Sequence, residues 1–458
     1  MSRPHASPAR TLAFAAVRET FEQGAFTERA FRTGADRLGL SGRERAQAQR
    51  LAYGAVQRRG TTDAAIERLA DRSTRLLDPP LLAALRLGLY ELLFADGAPD
   101  YAAVDQAVEL VKGAGAAHAS GLVNAVLRRA ARERDELVAT LLADDSTPAA
   151  AAVAHSAPLW LAEMWWEELG PDAARSVLVA CNEPAEVAMR ARPGEREAQL
   201  AQLREAGVEA AAASGEWPLA APESIVIEGR TGEAVPLAVA AGGLTPQSRG
   251  SAAVVEVLDP QPGEHVLDLC AGPGTKTGQI AARMGDRGEV ISVELDPSRA
   301  REVAAQARRL DLRNVTVIEA DATGTGMAPG FDRVLLDAPC SDLGALSSRP
   351  DARWRKTPKA IERLAKLQKQ ALRGAARVLR PGGTLVYSTC TICRHENEER
   401  VAELLAVAGT EGVPPLELED LGARAPQLAS PLEPRCLQLR PDRDRTTGFF
   451  IARLRRHD

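Results

Sequence analysis

Asp268-Leu-Cys270-Ala271-Gly272-Pro273-Gly274-Thr275-Lys276-Thr277 follows a short apolar run and precedes a helix-period one, and its glycines let backbone approach a ligand closely. The spacing through Gly278 is GxGxxxG, which departs from the dinucleotide fingerprint, and Cys270 and Thr275 stand where a phosphate-binding P-loop requires glycine. Neither pyrophosphate motif fits. Glu294, 22 positions after Gly272, ends the next apolar run, where a carboxylate can accept hydrogen bonds from both hydroxyls of a ribose. A nucleoside without pyrophosphate suits such a loop. S-adenosylmethionine is the commonest ligand of that kind, and Asp321, after the third apolar run, would face its adenine.

Two later loops carry thiols: Asp337-Ala338-Pro339-Cys340-Ser341 and Tyr387-Ser388-Thr389-Cys390-Thr391. Cysteines at the carboxyl ends of adjacent strands can face one pocket. Methylating a ring carbon such as cytosine C5 requires a nucleophile to add at C6 first, because C5 is otherwise a poor carbon nucleophile, and thiolate is the natural choice. One such cysteine reads as a buried apolar residue. Two, each in a polar loop beside a methyl-donor site, read as chemistry, although residue type and spacing do not rank them. Cys390 and Cys393 form CxxC, but no second CxxC or nearby His pair completes a metal site, so no metal is expected.

These loops need strands behind them. From Gly263 short apolar segments alternate with helical patterns, giving candidate strands His265–Cys270, Val290–Glu294, Val315–Glu319, Arg333–Asp337 and Thr384–Ser388, with Phe449–Leu454 as a late edge strand. The alternation predicts a parallel, doubly wound, Rossmann-like α/β domain over residues 241–458 with ligands at the strands' carboxyl ends. Residues 150–240 mix a helix bearing Leu159, Leu161, Trp165 and Leu169 with strand-like runs 187–190 and 225–227, which predicts a small α/β module after a linker at 144–148 and the alanine run that follows it. Residues 1–143 carry helical stripes, Leu81, Leu82, Leu85, Leu89, Leu92 and Leu93 in one and Val104, Val108 and Val111 in another, and predict an all-α domain. A length of 458 residues suits three such units.

The 45% apolar and 26% charged content is that of a soluble globular protein, and no stretch approaches the ~20 uncharged apolar residues of a membrane span. The start of the chain reads as a domain helix rather than a signal peptide, and six scattered cysteines make no disulfide framework, so a cytoplasmic protein with reduced thiols is expected. The net charge of −5 is uneven: basic and acidic residues number 20 and 17 over 1–140, 6 and 16 over 141–240, and 31 and 29 over 241–458. A polyanion can therefore be held by local basic faces. Residues 353–380 hold ten basic residues and one acid between the two cysteine motifs, which reads as an RNA-facing surface.

Two resemblances sharpen these expectations. The stretch YAAVDQAVELVKGAGAAHASGLVNAVLRRA from Tyr101 resembles the helical RNA-binding domain of the NusB antitermination family. It implies RNA contact by the arginine clusters at 43, 45, 50, 58 and 59 and at 128, 129, 132 and 134, supplying affinity more than specificity. LDLCAGPGTKT, LLDAPCSDLGALSSRPDARW and YSTCTICRHENE resemble the motifs of the RsmB (Sun/Fmu) family, bacterial RNA 5-methylcytosine methyltransferases acting on small-subunit (16S) ribosomal RNA, which also carry a NusB-like domain. That resemblance implies a class I methyltransferase domain, a donor site of Cys270, Ala271, Gly272, Pro273, Gly274, Thr275 and Lys276 with Glu294, Asp321 and Asp337, and a catalytic set of Cys390, Cys340, Asp337 and Lys276. Within it Cys390 is the nucleophile, Cys340 assists resolution of a covalent adduct, and Asp337 also holds the cytosine edge. A monomer acting on RNA, without membrane or metal, is expected. The chain departs from the family at AGPGTKT for AAPGGKT, at Glu294 for an aspartate, and at Ser347-Ser348-Arg349 for a basic pair before HPD. The alternatives are a tRNA or DNA cytosine-C5 methyltransferase, the latter with its nucleophile in Pro339-Cys340, or a catalytically inactive RNA-binding transcription or assembly factor.

Overall fold

The computed structural model describes residues 6–457 except positions 41, 96, 98, 325 and 411. The chain divides into two compact units, residues 1–183 with 346–356, and residues 184–345 with 357–458.

The first unit is helical. Pro79 and Pro80 open the helix Pro79–Leu93, where their fixed φ suits the first turn, and Leu81, Leu85, Leu89 and Leu92 are buried along it. Val104 and Val111 of the helix Asp100–Gly113 join the same core. Residues 144–147 form a short loop, but the alanine run after them is helical. Pro148 stands in the first turn of the helix Pro148–Ala154, where proline is tolerated, and the Thr147 side chain accepts the Ala150 amide at 3.2 Å. The helix Leu159–Leu169 follows, with Leu161 and Trp165 buried, and the compact unit runs on to Glu183.

Residues 346–356 return to this unit from far along the chain. Arg353 is 1% exposed, and its guanidinium donates to the carbonyls of Ser156 and Cys181, both at 2.9 Å, and to Asn182 Oδ1 at 3.1 Å. Trp354 Nε1 donates to the Val56 carbonyl at 2.7 Å, and the Arg59 guanidinium lies 5.1 Å from its ring. Arg353 is thus an internal clasp, not part of a basic surface. The reading of Arg58 and Arg59 as surface also changes. Both are half-buried, stacked on Phe94 and Phe21, and burial lowers the pKa of each guanidinium. Arg43 and Arg50 are exposed and unpaired among the described residues.

The second unit holds two sheets. The smaller is antiparallel, in the order Glu209–Ala212, Ser224–Glu228, Val187–Ala191, Leu244–Pro246. The alanine run at 210–212 is therefore a strand, paired with Ile225 to Ile227, where composition alone shows only local bias. The larger sheet contains β1 (His265–Leu269), β2 (Glu289–Glu294), β3 (Val315–Glu319), β4 (Phe331–Asp337), β5 (Leu379–Thr389), β6 (Leu416–Leu418), β7 (Leu437–Leu439) and β8 (Phe449–Arg456). Its order is β6-β8-β5-β4-β1-β2-β3, with β1 to β5 parallel and β8 antiparallel to β5. Strand β8 is not an edge, because β6 and β7 both pair with it. Each of those strands is only three residues long, too short for a periodic signal.

Alternation along β1 sends Leu267 and Leu269 to one face, against Ala371 and Leu372 of α3 (Pro358–Arg377). It sends Val266 to the other, against Ile280 and Met284 of α1 (Thr275–Met284). With both faces covered, the exposed polar positions of this layer are the loops at the strand ends. The carboxyl ends of β2, β1, β4 and β5 lie side by side, in registers Leu269↔Val293, Leu269↔Leu336 and Asp337↔Ser388.

Candidate active site

The loop after β1 is shaped by close approach. A Cβ on Gly272 would stand 2.6 Å from Glu294 Oε2 and 2.7 Å from Arg299 Nε. Gly274 has φ +99°, and a Cβ there would stand 2.9 Å from Val303 Cα in the helix α2 (Pro297–Arg309). Only glycine fits either position. The Gly272 amide donates to Glu294 Oε2 at 2.9 Å, and the Asp296 amide to Glu294 Oε1 at 3.1 Å, so the acid at the end of β2 is fixed against this loop. Ala271 donates to the Val293 carbonyl at 3.0 Å, Pro273 is exposed, and Thr275 opens α1. Burial, with Glu294 and Asp337 adding to it, pushes the Cys270 thiol pKa up, which keeps it protonated and unreactive.

Below the loop Asp268 is 1% exposed. Thr277 Oγ1 donates to its Oδ2 at 2.6 Å, while Oδ1 has no partner among the described residues. Burial raises its pKa to about 7. Asp321, beyond β3, is exposed and accepts the Thr323 amide and hydroxyl, each at 2.8 Å. It shares no hydrogen bond with the rest of the predicted set.

Lys276 and Asp337 meet. Lys276 Nζ lies 2.6 Å from Asp337 Oδ2 and 4.9 Å from the Phe449 ring centre, while Ser388 Oγ donates to Asp337 Oδ1 at 2.7 Å. The lysine thus ties the β1 loop to the end of β4, and Ser388 ties β4 to β5.

The two predicted thiols also meet, although 50 residues separate them. Cys340 Sγ and Cys390 Sγ are 3.3 Å apart. Cys340 is buried, Cys390 is half-buried, and the Cys390 thiol donates to Asp342 Oδ1 at 3.2 Å. Cys390 thus has Cys340 as a neighbour in space. Cys340, Asp342 and Cys390 bring their ligand atoms within 4.8 Å of one another.

Sequence reasoning missed what holds these loops. Glu396 is fully buried; its Oε1 accepts the Ser341 amide and Gln368 Nε2, both at 3.0 Å, and its Oε2 accepts the Ser341 hydroxyl. Ser341 Oγ and Thr391 Oγ1 lie 2.7 Å apart, so the residue after each cysteine is bonded to the other. Gly344 N donates to the Cys390 carbonyl at 3.0 Å, and Asn397 Nδ2 to the Thr391 carbonyl at 3.1 Å. A glutamate in Cys393-Arg-His-Glu396-Asn-Glu398 reads as helix-end charge; nothing local to it signals burial.

A conformationally fixed Gly-acid loop, an ion pair and two adjacent thiols can hold a nucleoside-like donor beside a nucleophile. The chain also resembles known proteins. Residues 255–455 match the family "16S rRNA methyltransferase RsmB/F" and residues 7–132 match the NusB family. The chain is 33% identical to the "Probable ribosomal RNA small subunit methyltransferase B" of Synechocystis sp., over 98% of this chain and 99% of that one. It is 30% identical to the Escherichia coli O6:K15:H31 ribosomal RNA small subunit methyltransferase B, over 91% of each. The crystal structure of PH0851 aligns with a TM-score of 0.80 at 26% identity, over 99% of both chains. With a NusB-type helical region, a methyltransferase sheet and relatives matched end to end, this chain belongs to the RsmB/F family of 16S ribosomal RNA methyltransferases.

Proposed function

We propose that the protein methylates C5 of a cytosine in small-subunit ribosomal RNA, using S-adenosylmethionine and a transient covalent bond between Cys390 and cytosine C6. The observation that carries this reading is the 3.3 Å approach of Cys340 and Cys390 beside the Lys276–Asp337 pair, since one thiol can add while the other serves a later proton transfer.

The donor site fits its ligand on the evidence of the cradle. Gly272 and Gly274 let the loop backbone pack directly against Glu294, Arg299 and Val303, and Glu294 supplies a fixed acceptor at a strand end. Cys270 to Lys276, Glu294, Asp321 and Asp337 would hold S-adenosylmethionine, which supplies an electrophilic methyl group when bound. Cys390 is the more exposed thiol and suits the attacking role. Its sulfur adds to C6 and makes C5 nucleophilic. Once C5 is methylated, its remaining proton must leave before the C–S bond can break and return the sulfur's electron pair to Cys390. Cys340 is placed to assist that second stage, and Asp337, oriented by Lys276 and Ser388, presents a carboxylate to the cytosine edge.

The NusB-type helical region supports RNA as the substrate, as do the "ribosomal RNA" names of the relatives. Among the described residues no helix is long and apolar enough to cross a membrane. Bisulfite sequencing of ribosomal RNA from cells with and without the gene tests the proposal. A single small-subunit cytosine that loses protection without the gene supports it, and unchanged profiles refute it.

A further inference from the structure

We infer that Cys340, Asp342 and Cys390 form a binding site for a thiophilic divalent cation, zinc being the biological representative, whose occupancy switches the enzyme off. The inhibitory consequence rests on the nucleophile reading above; the site itself rests on geometry. Three donors converge from two loops, with Cys340 Sγ 3.3 Å from Cys390 Sγ and Cys390 Sγ 3.2 Å from Asp342 Oδ1. All three ligand atoms lie within 4.8 Å of one another. Ligand atoms around a tetrahedral zinc stand about 3.6–3.8 Å apart, given Zn–S and Zn–O bonds near 2.3 and 2.1 Å. Small side-chain rotations therefore suffice to admit the ion.

The donor set is selective. Two sulfurs and one carboxylate favour zinc over magnesium or calcium, which take oxygen ligands. The frame is also built before the ion arrives. Ser341, Thr391 and the buried Glu396 fasten the two loops, and the Gly344 amide holds the Cys390 carbonyl. Asp342 and Cys390 are half-buried, so water can supply the fourth ligand. Asp342 has no part in the cytosine chemistry proposed above, which makes it the residue that separates metal binding from catalysis. On loading, each thiol gives its proton to solvent and its sulfur lone pair to the ion, with no change in oxidation state. A sulfur so engaged cannot add to C6.

Cobalt reports such a site through its thiolate-to-metal charge-transfer band. Titration of the full chain with cobalt is expected to give that band at equimolar metal, and zinc to bleach it. Cys340→Ser and Cys390→Ser should each remove about half the intensity, since each supplies one thiolate. Asp342→Asn should keep the full band at saturation but weaken binding ~10-fold or more, as loss of one oxygen ligand requires. Absence of a band at equimolar cobalt overturns the inference, as does a band that persists in the double cysteine variant, which would place the metal elsewhere. S-adenosylmethionine binding by each variant reports that it is folded. Failure of this titration leaves cytosine methylation standing, and failure of the bisulfite experiment leaves the cobalt result standing, so the two are separable.

Discussion

The carboxylate of Glu396 accepts the amide of Ser341 at 3.0 Å from a position 55 residues further along the chain, and so fixes the backbone of the residue that follows Cys340. Its other oxygen takes the Ser341 hydroxyl, which also meets Thr391, the residue after Cys390. Glu396→Ala strands these donors in a buried site, at about 1–3 kcal/mol for each. Both thiols then lose their fixed separation. Single-turnover methylation should fall ~100-fold, since misplacement of about 1 Å costs that much. RNA affinity should hold. Glu396→Gln keeps the oxygen facing Ser341 N and should recover most of the rate; equal losses in both variants would refute a positioning role.

The two cysteines can be told apart by what accumulates. With Cys390 attacking and Cys340 assisting release, Cys390→Ala abolishes turnover and adduct together, whereas Cys340→Ala lets the adduct form and persist. Denaturing gels of enzyme with substrate RNA should show a shifted band for Cys340→Ala only. A shifted band in Cys390→Ala alone would move the nucleophile to Pro339-Cys340. The double variant, which forms no adduct in either case, is the control for noncovalent retention.

Asp268 makes stability pH-dependent. Burial raises its pKa to about 7, so the folded chain holds a proton that the unfolded chain has already lost above about pH 4. Its contribution is therefore most favourable in acid and is lost as pH rises through 7. Between about pH 5 and pH 8 the unfolding free energy should fall by roughly 2–3 kcal/mol more in the wild type than in Asp268→Asn. Urea denaturation at the two pH values measures the difference. Parallel loss in both proteins would mean that the carboxyl ionises normally.

RNA affinity should reside partly in arginines free to meet phosphates. Arg129 and Arg132 are paired with Glu133, and Arg134 with Asp100, whereas Arg43 and Arg50 are exposed and unpaired among the described residues. Replacing Arg43 and Arg50 by Gln should lower the slope of log K against log salt by about one to two, and leave S-adenosylmethionine binding unchanged. The same change at Arg58 and Arg59, which are stacked inside the helical unit, should instead lower the melting temperature.

What was legible in the sequence was whatever a strand end announces. Gly272, Glu294, Asp337, Cys340 and Cys390 each follow or end a short apolar run, and the parallel registers bring those ends together as expected. Asp342 and Glu396 were not legible, because their partners lie 48 and 55 residues away and become neighbours only once β4 and β5 pair. Arg353 misled for the complementary reason. A basic residue among basic residues reads as surface, and only the converging carbonyls of Ser156 and Cys181 make its burial affordable. The alanine run after Pro148 read as linker because its composition shows no period, and Pro148 opens a helix there.

The return of residues 346–356 to the helical unit sets an order on synthesis. The carbonyls of Ser156 and Cys181 leave the ribosome long before the Arg353 that satisfies them, with 172 positions between Cys181 and Arg353. At about 5–20 residues per second that interval is roughly 10–30 seconds. During it the first half of the nascent chain must wait with part of its interior unclosed, a period in which a holding chaperone has something to bind. A gene fragment ending near residue 183 would prolong that interval indefinitely, so the N-terminal helices should be recovered far more soluble when residues 346–356 are supplied, even as a separate peptide, than when they are withheld.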